Sequence, residues 1–157
     1  MPMPIRRLSS ASEHTGPAHA GSARRTRGPA LFVVDDDVAM LELLCEIARD
    51  AGWVAQGFTG ISELRTSLGR AKPALLILDD ELPDGRGGDV ARELRDDERM
   101  AGVPILVCTA AHPIRQAEIE AWAPVISKPF DVAEIEAILG AAARRYARSN
   151  AYGRRAG

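Results

Sequence analysis

An α/β fold built on a five-stranded parallel sheet is predicted by two features of the sequence. Short aliphatic runs alternate five times with segments whose apolar residues recur at helical spacing. The central run, Leu-Leu-Ile-Leu at residues 75–78, is too short for an isolated helix and is typical of a strand buried on both faces of a parallel sheet. Helices on both faces would cover such a sheet. The 157 residues suit one domain of this kind with a hydrophobic core.

The individual elements follow from the same patterns. Asp37 is expected to cap the first helix, and Asp131 with Glu134 forms a start signal for the last one, which runs through Ala142 and then frays. The predicted strands are about 30–34, 53–58, 75–78, 103–108 and 125–127; the predicted helices are about 37–50 and 61–68, a third around 90–94, a fourth about 113–122, and the last from about 131.

The composition divides the chain into three parts. Residues 1–28 are rich in Pro, Gly, Ser and Arg without an apolar period, which predicts a disordered basic tail. Residues 29–145 form the predicted domain, and 146–157 a flexible basic tail. The terminal arginines are interpreted as solvated, since they have no interleaved aromatic residues and no helix-turn-helix segment accompanies them. We expect no DNA-binding or enzymatic output domain after the predicted domain, since about fifteen residues follow the last predicted core position.

Other classes of protein are disfavoured by what the sequence lacks. Cys45 and Cys108 lie in apolar patterns without the spacing of a zinc site, which indicates buried, reduced thiols and a cytoplasmic protein. No stretch has the length of apolar sequence that a membrane span needs, and the N-terminus has no signal-peptide core.

Acidic residues follow two of the predicted strands. The first strand is followed by Asp35 and Asp36, and the central strand by Asp79. Ligands of open α/β sheets bind at the carboxyl ends of the strands. If the two strands are neighbours, each pair of carboxylates about 4 Å apart costs roughly 4 kcal/mol at an effective dielectric constant of about 20. Such a cluster needs shifted pKa values or a cation, and a site made only of oxygen donors favours Mg2+.

The remaining strand ends supply a hydroxyl and an ammonium group. The fourth strand leads to Thr109, and the fifth to Lys128. Together with the acids, these groups are suited to a phosphoryl group, because the metal, Thr109 and Lys128 would neutralise its oxygens. The sequence therefore predicts a phosphoryl site at the carboxyl ends of the strands.

The ordered set of motifs resembles the response-regulator receiver domain of two-component signalling. The motifs are Asp35-Asp36 after a hydrophobic strand, Asp79 followed by Leu82-Pro83-Asp84-Gly85, then Thr109-Ala110, and finally Lys128-Pro129-Phe130. The resemblance implies a flavodoxin-like (βα)5 fold with strand order 2-1-3-4-5, in which the first and third strands are neighbours. It also implies a phosphoacceptor signalling domain, with enzymatic activity limited to its own phosphotransfer and autodephosphorylation.

The same resemblance implies roles for individual residues. Asp79 would take the phosphoryl group from a sensor histidine kinase or a histidine phosphotransfer protein. Asp36, Asp79 and the backbone carbonyl of Glu81 would coordinate Mg2+, with Asp35 acting mainly through water. The phosphoryl-binding and switch positions would be Thr109, Ala110 and Lys128, and Pro129 is a candidate for a cis peptide bond. Output would pass to an unknown protein through the face formed by the fourth helix, the fifth strand and the fifth helix.

One position departs from the family pattern, and several others are interpreted as structural residues of turns. Val125 stands where many members carry an aromatic switch residue, and the fourth helix is expected to be short or displaced. Asp80 and Asp84 are interpreted as solvated acids of a turn. Gly85 is expected to adopt a positive φ.

Two other functions remain open. The first is a receiver-like interaction module that works without phosphorylation. The second is a phosphatase of the haloacid-dehalogenase type, with Asp35 as nucleophile and Asp37 as acid/base. The phosphatase is disfavoured because Ala39 stands where that family has Thr or Val, and because Asp79-Asp80 precede Lys128 instead of following it.

Overall fold

The protein was analysed as a computed structural model that describes residues 28–153, with side chains up to Ala151. The predicted N-terminal tail, apart from its last residue, lies outside the described residues, as do residues 154–157. Within residues 28–153, no helix combines the length and the apolar character needed to cross a membrane.

Five parallel strands form a single sheet in the order β2-β1-β3-β4-β5. Val34 of β1 lies beside Phe58 of β2 on one side and Leu78 of β3 on the other. The flavodoxin-like topology predicted from the sequence is thus confirmed. The strands are β1 (Ala30–Val34), β2 (Val54–Phe58), β3 (Leu75–Asp79), β4 (Ile105–Thr109) and β5 (Val125–Ser127).

Five α-helices connect and follow the strands. The fourth is short, as expected, and ends at Glu120. A 3-10 turn, Glu98–Met100, lies between the third helix and β4. The helices are α1 (Val38–Asp50), α2 (Ile61–Leu68), α3 (Gly87–Asp96), α4 (Pro113–Glu120) and α5 (Val132–Gly153).

Alternate residues of each strand point to opposite faces of the sheet, and each face has its own core. Leu76 and Leu78 of β3 pack among side chains of α2, α3 and α4. Leu75 and Ile77 of the same strand pack among side chains of α1 and α5. All five residues of β3 are buried, as expected for a central strand covered on both faces.

Helix α5 is longer than the sequence predicted. It continues through residues 146–153, which were predicted to form a flexible tail. The residues after Leu139 are mostly Ala and Arg, two of the strongest helix formers, and no proline interrupts them. Apolar periodicity marks only the part of a helix that packs on a core, so this exposed part of α5 carried no such signal.

The loop after β3 is shaped by two glycines. Residues Glu81–Leu82 and Gly85–Arg86 form a short antiparallel hairpin, in which Gly85 has the predicted positive φ, at 152°. Gly87 begins α3 against the backbone of β3, and a Cβ atom there would overlap the carbonyl oxygen of Asp79. The absence of a side chain at Gly87 therefore allows α3 to start directly beside Asp79.

Candidate functional site

The candidate site lies at the carboxyl ends of β1, β3, β4 and β5. Because β1 and β3 are hydrogen-bonded neighbours in register, Asp35 and Asp79 emerge at the same rim of the sheet. Thr109 ends β4, and Lys128 follows β5, with its backbone N–H donating to the Thr109 carbonyl at 2.8 Å. The strand register thus places Asp35, Asp79, Thr109 and Lys128, four of the five residues that the sequence predicted to converge, at one rim of the sheet.

Three carboxylates form a cluster that could hold a metal ion. One oxygen each of Asp35, Asp36 and Asp79 lies within 4.8 Å of the others. Asp35 and Asp79 are buried, whereas Asp36 is exposed. Asp37, the third acid of the run, accepts hydrogen bonds from the backbone N–H groups of Ala39 and Met40 and caps α1 as predicted.

Lys128 reaches into this cluster from β5. Its Nζ lies 2.7 Å from Oδ2 of Asp35 and 3.4 Å from Oδ1 of Asp79. The Lys128–Pro129 peptide bond, the candidate for a cis bond, is cis. A single ammonium group therefore contacts two carboxylates, and the site is rich in negative charge.

The pKa shifts of two groups reflect this charge imbalance. Burial raises the pKa of Asp79 above its usual range, and the neighbouring charge of Asp35 adds to the rise; Lys128 and the backbone N–H of Glu81 offset part of it. Burial alone would lower the pKa of Lys128, but its hydrogen bond to Asp35 and the charges of both carboxylates raise it. Lys128 therefore carries a fixed positive charge, whereas burial and the charge of Asp35 disfavour the ionised form of Asp79.

The other predicted site residues line the same rim. Thr109 is fully buried, and its Oγ1 accepts a hydrogen bond from the Ala111 N–H at 2.9 Å. Ala110 follows it at an exposed position. Glu81 lies in the hairpin, with an exposed side chain 3.7 Å from Arg86. The metal-binding role of the Glu81 carbonyl and the phosphoryl-binding roles of Thr109 and Ala110 stay predictions.

The interpretation of Asp80 as a solvated acid is wrong, because its side chain is 0% exposed. In a strand, successive side chains alternate, so Asp80 points away from Asp79 toward α3 and α4. There it accepts hydrogen bonds from the Gly88 N–H and from the Arg115 guanidinium. Burial alone would raise the pKa of Asp80, but the bonds from Arg115 and Gly88 lower it, so this acid is ionised and paired.

Asp84 is exposed, yet it has a structural role that the turn interpretation missed. Its two carboxylate oxygens accept the N–H groups of Ile61 and Ser62, each at 2.9 Å. The preceding residue, Gly60, has no side chain with which to cap α2, so Asp84 supplies the cap from a distant part of the chain. These backbone hydrogen bonds lower the pKa of Asp84. The loop after β3 is thereby fixed to α2.

We expect Asp79→Asn to raise the free energy of unfolding of the metal-free protein at pH 7 by more than about 0.5 kcal/mol, the range within which surface substitutions usually fall. The folded-state pKa of Asp79 is raised, so stability is lost as the pH rises from the unfolded-state pKa through the folded-state pKa. Urea unfolding in EDTA checks this change, and the difference between the two proteins should vanish at low pH. The exposed neighbour Asp36→Asn is the control and should change stability by less than about 0.5 kcal/mol. A destabilised Asp79→Asn protein would contradict the prediction.

Fold and rim together define an α/β domain with an acidic site at the carboxyl ends of its parallel strands. The family model for the response regulator receiver domain matches residues 31–140. The chain belongs to this family.

The curated relatives are response regulators. The chain is 35% identical over 122 residues to the DNA-binding dual master transcriptional regulator RpaA of Synechocystis, covering 74% of this chain and 50% of that protein. It is 34% identical over 102 residues to the response regulator receiver protein Anae109_2439 of Anaeromyxobacter, covering 65% of this chain and 40% of that protein. The chain thus spans half or less of the length of these relatives.

Solved structures of receiver domains share the fold. The chemotaxis response regulator CheY4 of Vibrio cholerae superposes with a TM-score of 0.66 at 20% identity, covering 73% of this chain and 98% of that one. The receiver domain of the Francisella response regulator 1452 gives a TM-score of 0.67 at 16% identity, covering 76% of this chain and 99% of that one. At these identities, the likeness supports the fold alone.

Proposed function

We propose that the chain is a phosphoacceptor that takes a phosphoryl group onto Asp79 from the phosphohistidine of a sensor histidine kinase or histidine phosphotransfer protein. The observation that carries the proposal is Lys128, whose ammonium group lies within 4 Å of both Asp35 and Asp79. This is the position from which a cation can offset charge on oxygens transferred to Asp79. The partner that supplies the phosphoryl group is inferred from membership in the family.

The reaction is a substitution at phosphorus. A carboxylate oxygen of Asp79 attacks the phosphorus atom, an O–P bond forms, and the N–P bond of the phosphohistidine breaks with its electron pair going to the imidazole. Lys128 holds a positive charge beside the transferred group, and its raised pKa keeps it protonated. The hydroxyl of Thr109 then donates to a phosphoryl oxygen, and the Ala110 backbone lies next to it. Water later hydrolyses the acyl phosphate.

The donor set fits a hard divalent cation. Three carboxylates share one rim, and burial together with the charge of Asp35 raises the pKa of Asp79 even beside Lys128, so a further positive charge would stabilise its ionised form. Asp36 and Asp79 would hold Mg2+ directly with the Glu81 carbonyl, and Asp35, which is already bonded to Lys128, would act mainly through water. When bound, Mg2+ would supply charge neutralisation for the phosphoryl oxygens.

The deciding experiment is incubation of the full chain with acetyl phosphate in the presence and absence of Mg2+. We expect a labile label in intact-mass spectra that requires Mg2+ and is lost in Asp79→Asn. Asp36→Asn should also reduce labelling, because it removes a metal ligand. Asp96→Asn is a matched control, since Asp96 is exposed and outside the carboxylate cluster, and should label as wild type.

Labelling, Mg2+ binding and phosphomonoester hydrolysis together separate the alternatives. A wild-type chain that binds no Mg2+ and takes no label would support an interaction module that works without phosphate. Hydrolysis of a small phosphomonoester that survives Asp79→Asn but not Asp35→Asn would support the phosphatase. The site disfavours the phosphatase, because Asp37, its required acid/base, is engaged in capping α1.

The output of the domain is proposed to pass through the α4–β5–α5 face to a protein partner. The buried free thiols of Cys45 and Cys108 are consistent with the cytoplasm. Burial raises the pKa of Cys108 to about 12, so this thiol stays protonated and unreactive. We propose no enzymatic activity beyond self-phosphorylation and autodephosphorylation.

A further inference from the structure

The first turn of α4 is anchored to the end of β3 by an arginine. Nε of Arg115 lies 3.2 Å from Oδ2 of Asp80, and Nη2 lies 3.0 Å from Oδ1, so the guanidinium grips the carboxylate with two hydrogen bonds. Nη2 also lies 3.1 Å from Oδ1 of Asp89 in α3. Among the ion pairs of residues 28–153, this is the one that joins α4 to the residue directly after β3.

Asp80 has little else to compensate its charge. Its carboxylate is fully buried and accepts one further hydrogen bond, from the Gly88 N–H at 2.9 Å. The closest other cation is Arg86, whose Nη1 is 3.9 Å away. A movement of α4 that withdrew Arg115 would leave a buried carboxylate largely unpaired, which is strongly unfavourable. The ion pair therefore resists displacement of the helix.

The Asp80–Arg115 ion pair lies between the proposed phosphoryl site and α4. Thr109 Oγ1 accepts the Ala111 N–H, and α4 begins only two residues after Ala111. If Thr109 moves toward a phosphoryl group on Asp79, it draws Ala111 and the first turn of α4 with it. Arg115 belongs to that first turn and is held by Asp80, the residue next to Asp79. A shift of the first turn of α4 must therefore lengthen or break the Asp80–Arg115 ion pair.

The residues just after α4 are tied to α3 by two hydrogen bonds. Nε1 of Trp122 donates to the Gly88 carbonyl at 2.8 Å, and Arg95 of α3 donates to the Trp122 carbonyl at 2.7 Å. Trp122 is consequently a natural reporter for the position of α4. The second tryptophan, Trp53, donates to the Leu139 carbonyl on the opposite face of the sheet. It can serve as an internal reference.

We propose that the Asp80–Arg115 ion pair is a latch that holds α4 in its unphosphorylated position and so limits how readily phosphorylation of Asp79 shifts the α4–β5–α5 face. The proposal rests on the proposed phosphoacceptor function. It gives this chain a means of control at a site where Val125 replaces the aromatic switch residue of many family members. Asp80 and Arg115 are positioning residues and take no part in the phosphoryl transfer itself.

The test is an NMR titration of the full chain with beryllofluoride, a phosphoryl mimic, in the presence of Mg2+. Backbone amide signals of Asp79, Glu81 and Lys128 report binding of the mimic, and the indole N–H signals of Trp122 and Trp53 report helix movement. The variants are Arg115→Met, which removes the charge while keeping much of the side-chain volume, and Arg115→Lys, which keeps the charge but not the planar fork. Arg65→Met is the matched control, because it removes an exposed ion pair between α2 and α3 that does not involve α4.

We expect Arg115→Met to bind beryllofluoride about 5- to 10-fold more tightly than the wild type, because the mimic no longer has to break the latch. Arg115→Lys should change the affinity in the same direction by a smaller factor, and it carries the test if Arg115→Met does not fold. Arg65→Met should match the wild type. In the wild type, the mimic should shift the Trp122 signal and leave that of Trp53 in place.

Two results would overturn the latch. One is an affinity of the folded Arg115 variants equal to, or weaker than, that of Arg65→Met. The other is a wild-type Trp122 signal that does not move while the amides of the site do. A failure of the phosphoacceptor function looks different, since the wild-type amides of Asp79, Glu81 and Lys128 would then not respond to beryllofluoride at all.

Discussion

Gly87→Ala is expected to lower the free energy of unfolding by about 3 kcal/mol and to impair phosphorylation of Asp79. The new methyl group would overlap the Asp79 carbonyl oxygen and would lie 2.8 Å from the carbonyl carbon and 3.3 Å from Cα of Asp80. All of these are backbone atoms of two buried residues, Asp79 and Asp80, so they cannot give way as the end of a flexible side chain would. Either α3 or the end of β3 must shift.

The same substitution in α5 provides the matched control. Gly140 lies within this helix, and a Cβ atom there would meet only the end of the Arg144 side chain, at 3.3 Å. Gly140→Ala should therefore stabilise the protein, by up to about 1 kcal/mol, through helix propensity. Urea unfolding measures both changes, and labelling by acetyl phosphate follows the site. The proposed close approach of α3 would be refuted by a Gly87→Ala protein with wild-type stability.

Lys128→Met is expected to slow labelling of Asp79 by about 100-fold, on the scale of removing one electrostatic donor from a reacting oxyanion. The ammonium group lies 2.7 Å from Asp35 and 3.4 Å from Asp79. Without it, two buried carboxylates face each other, and the already raised pKa of Asp79 rises further because the lowering effect of Lys128 is lost. The pH below which labelling falls away should consequently be higher in this variant than in the wild type.

The chain offers a convenient control, since its other lysine is Lys72. Lys72 is exposed, and its Nζ donates to the Ala101 carbonyl, far from the carboxylate cluster. Initial rates of label incorporation, measured from pH 5 to 8 with saturating Mg2+, should be unchanged in Lys72→Met. Equal rates in Lys128→Met and Lys72→Met would mean that Lys128 does not act on the transferred group.

The topology could be predicted from the sequence because two periodicities carry most of the information. Buried aliphatic runs such as 75–78 marked the strands, and residues at helical spacing marked the helices between them. The convergence of Asp35, Asp79 and Lys128 then followed from chain direction, since all strands of a parallel sheet end at the same rim. No side-chain detail was needed for this step.

The features that the sequence did not reveal depend on side-chain direction and on partners far along the chain. The alternation of β3 could have indicated that Asp80 faces α3 and α4, but not that Arg115 meets it, because the rotation of a short helix about its axis is not encoded in a weak apolar period. The capping of α2 by Asp84 joins residues more than twenty positions apart. Such contacts are set by tertiary packing, not by local spacing.

The length of α5 has a practical consequence. Its 22 residues extend about 33 Å, whereas a five-residue strand extends only about 17 Å, so the helix starts near Lys128 and ends well away from the phosphorylation chemistry. A fluorophore attached through Ser149→Cys would lie near the far end of α5. A small tilt of the first turn of α5 would therefore move the fluorophore by a larger distance relative to the sheet. The length of α5 thus makes a tilt of this helix detectable by fluorescence.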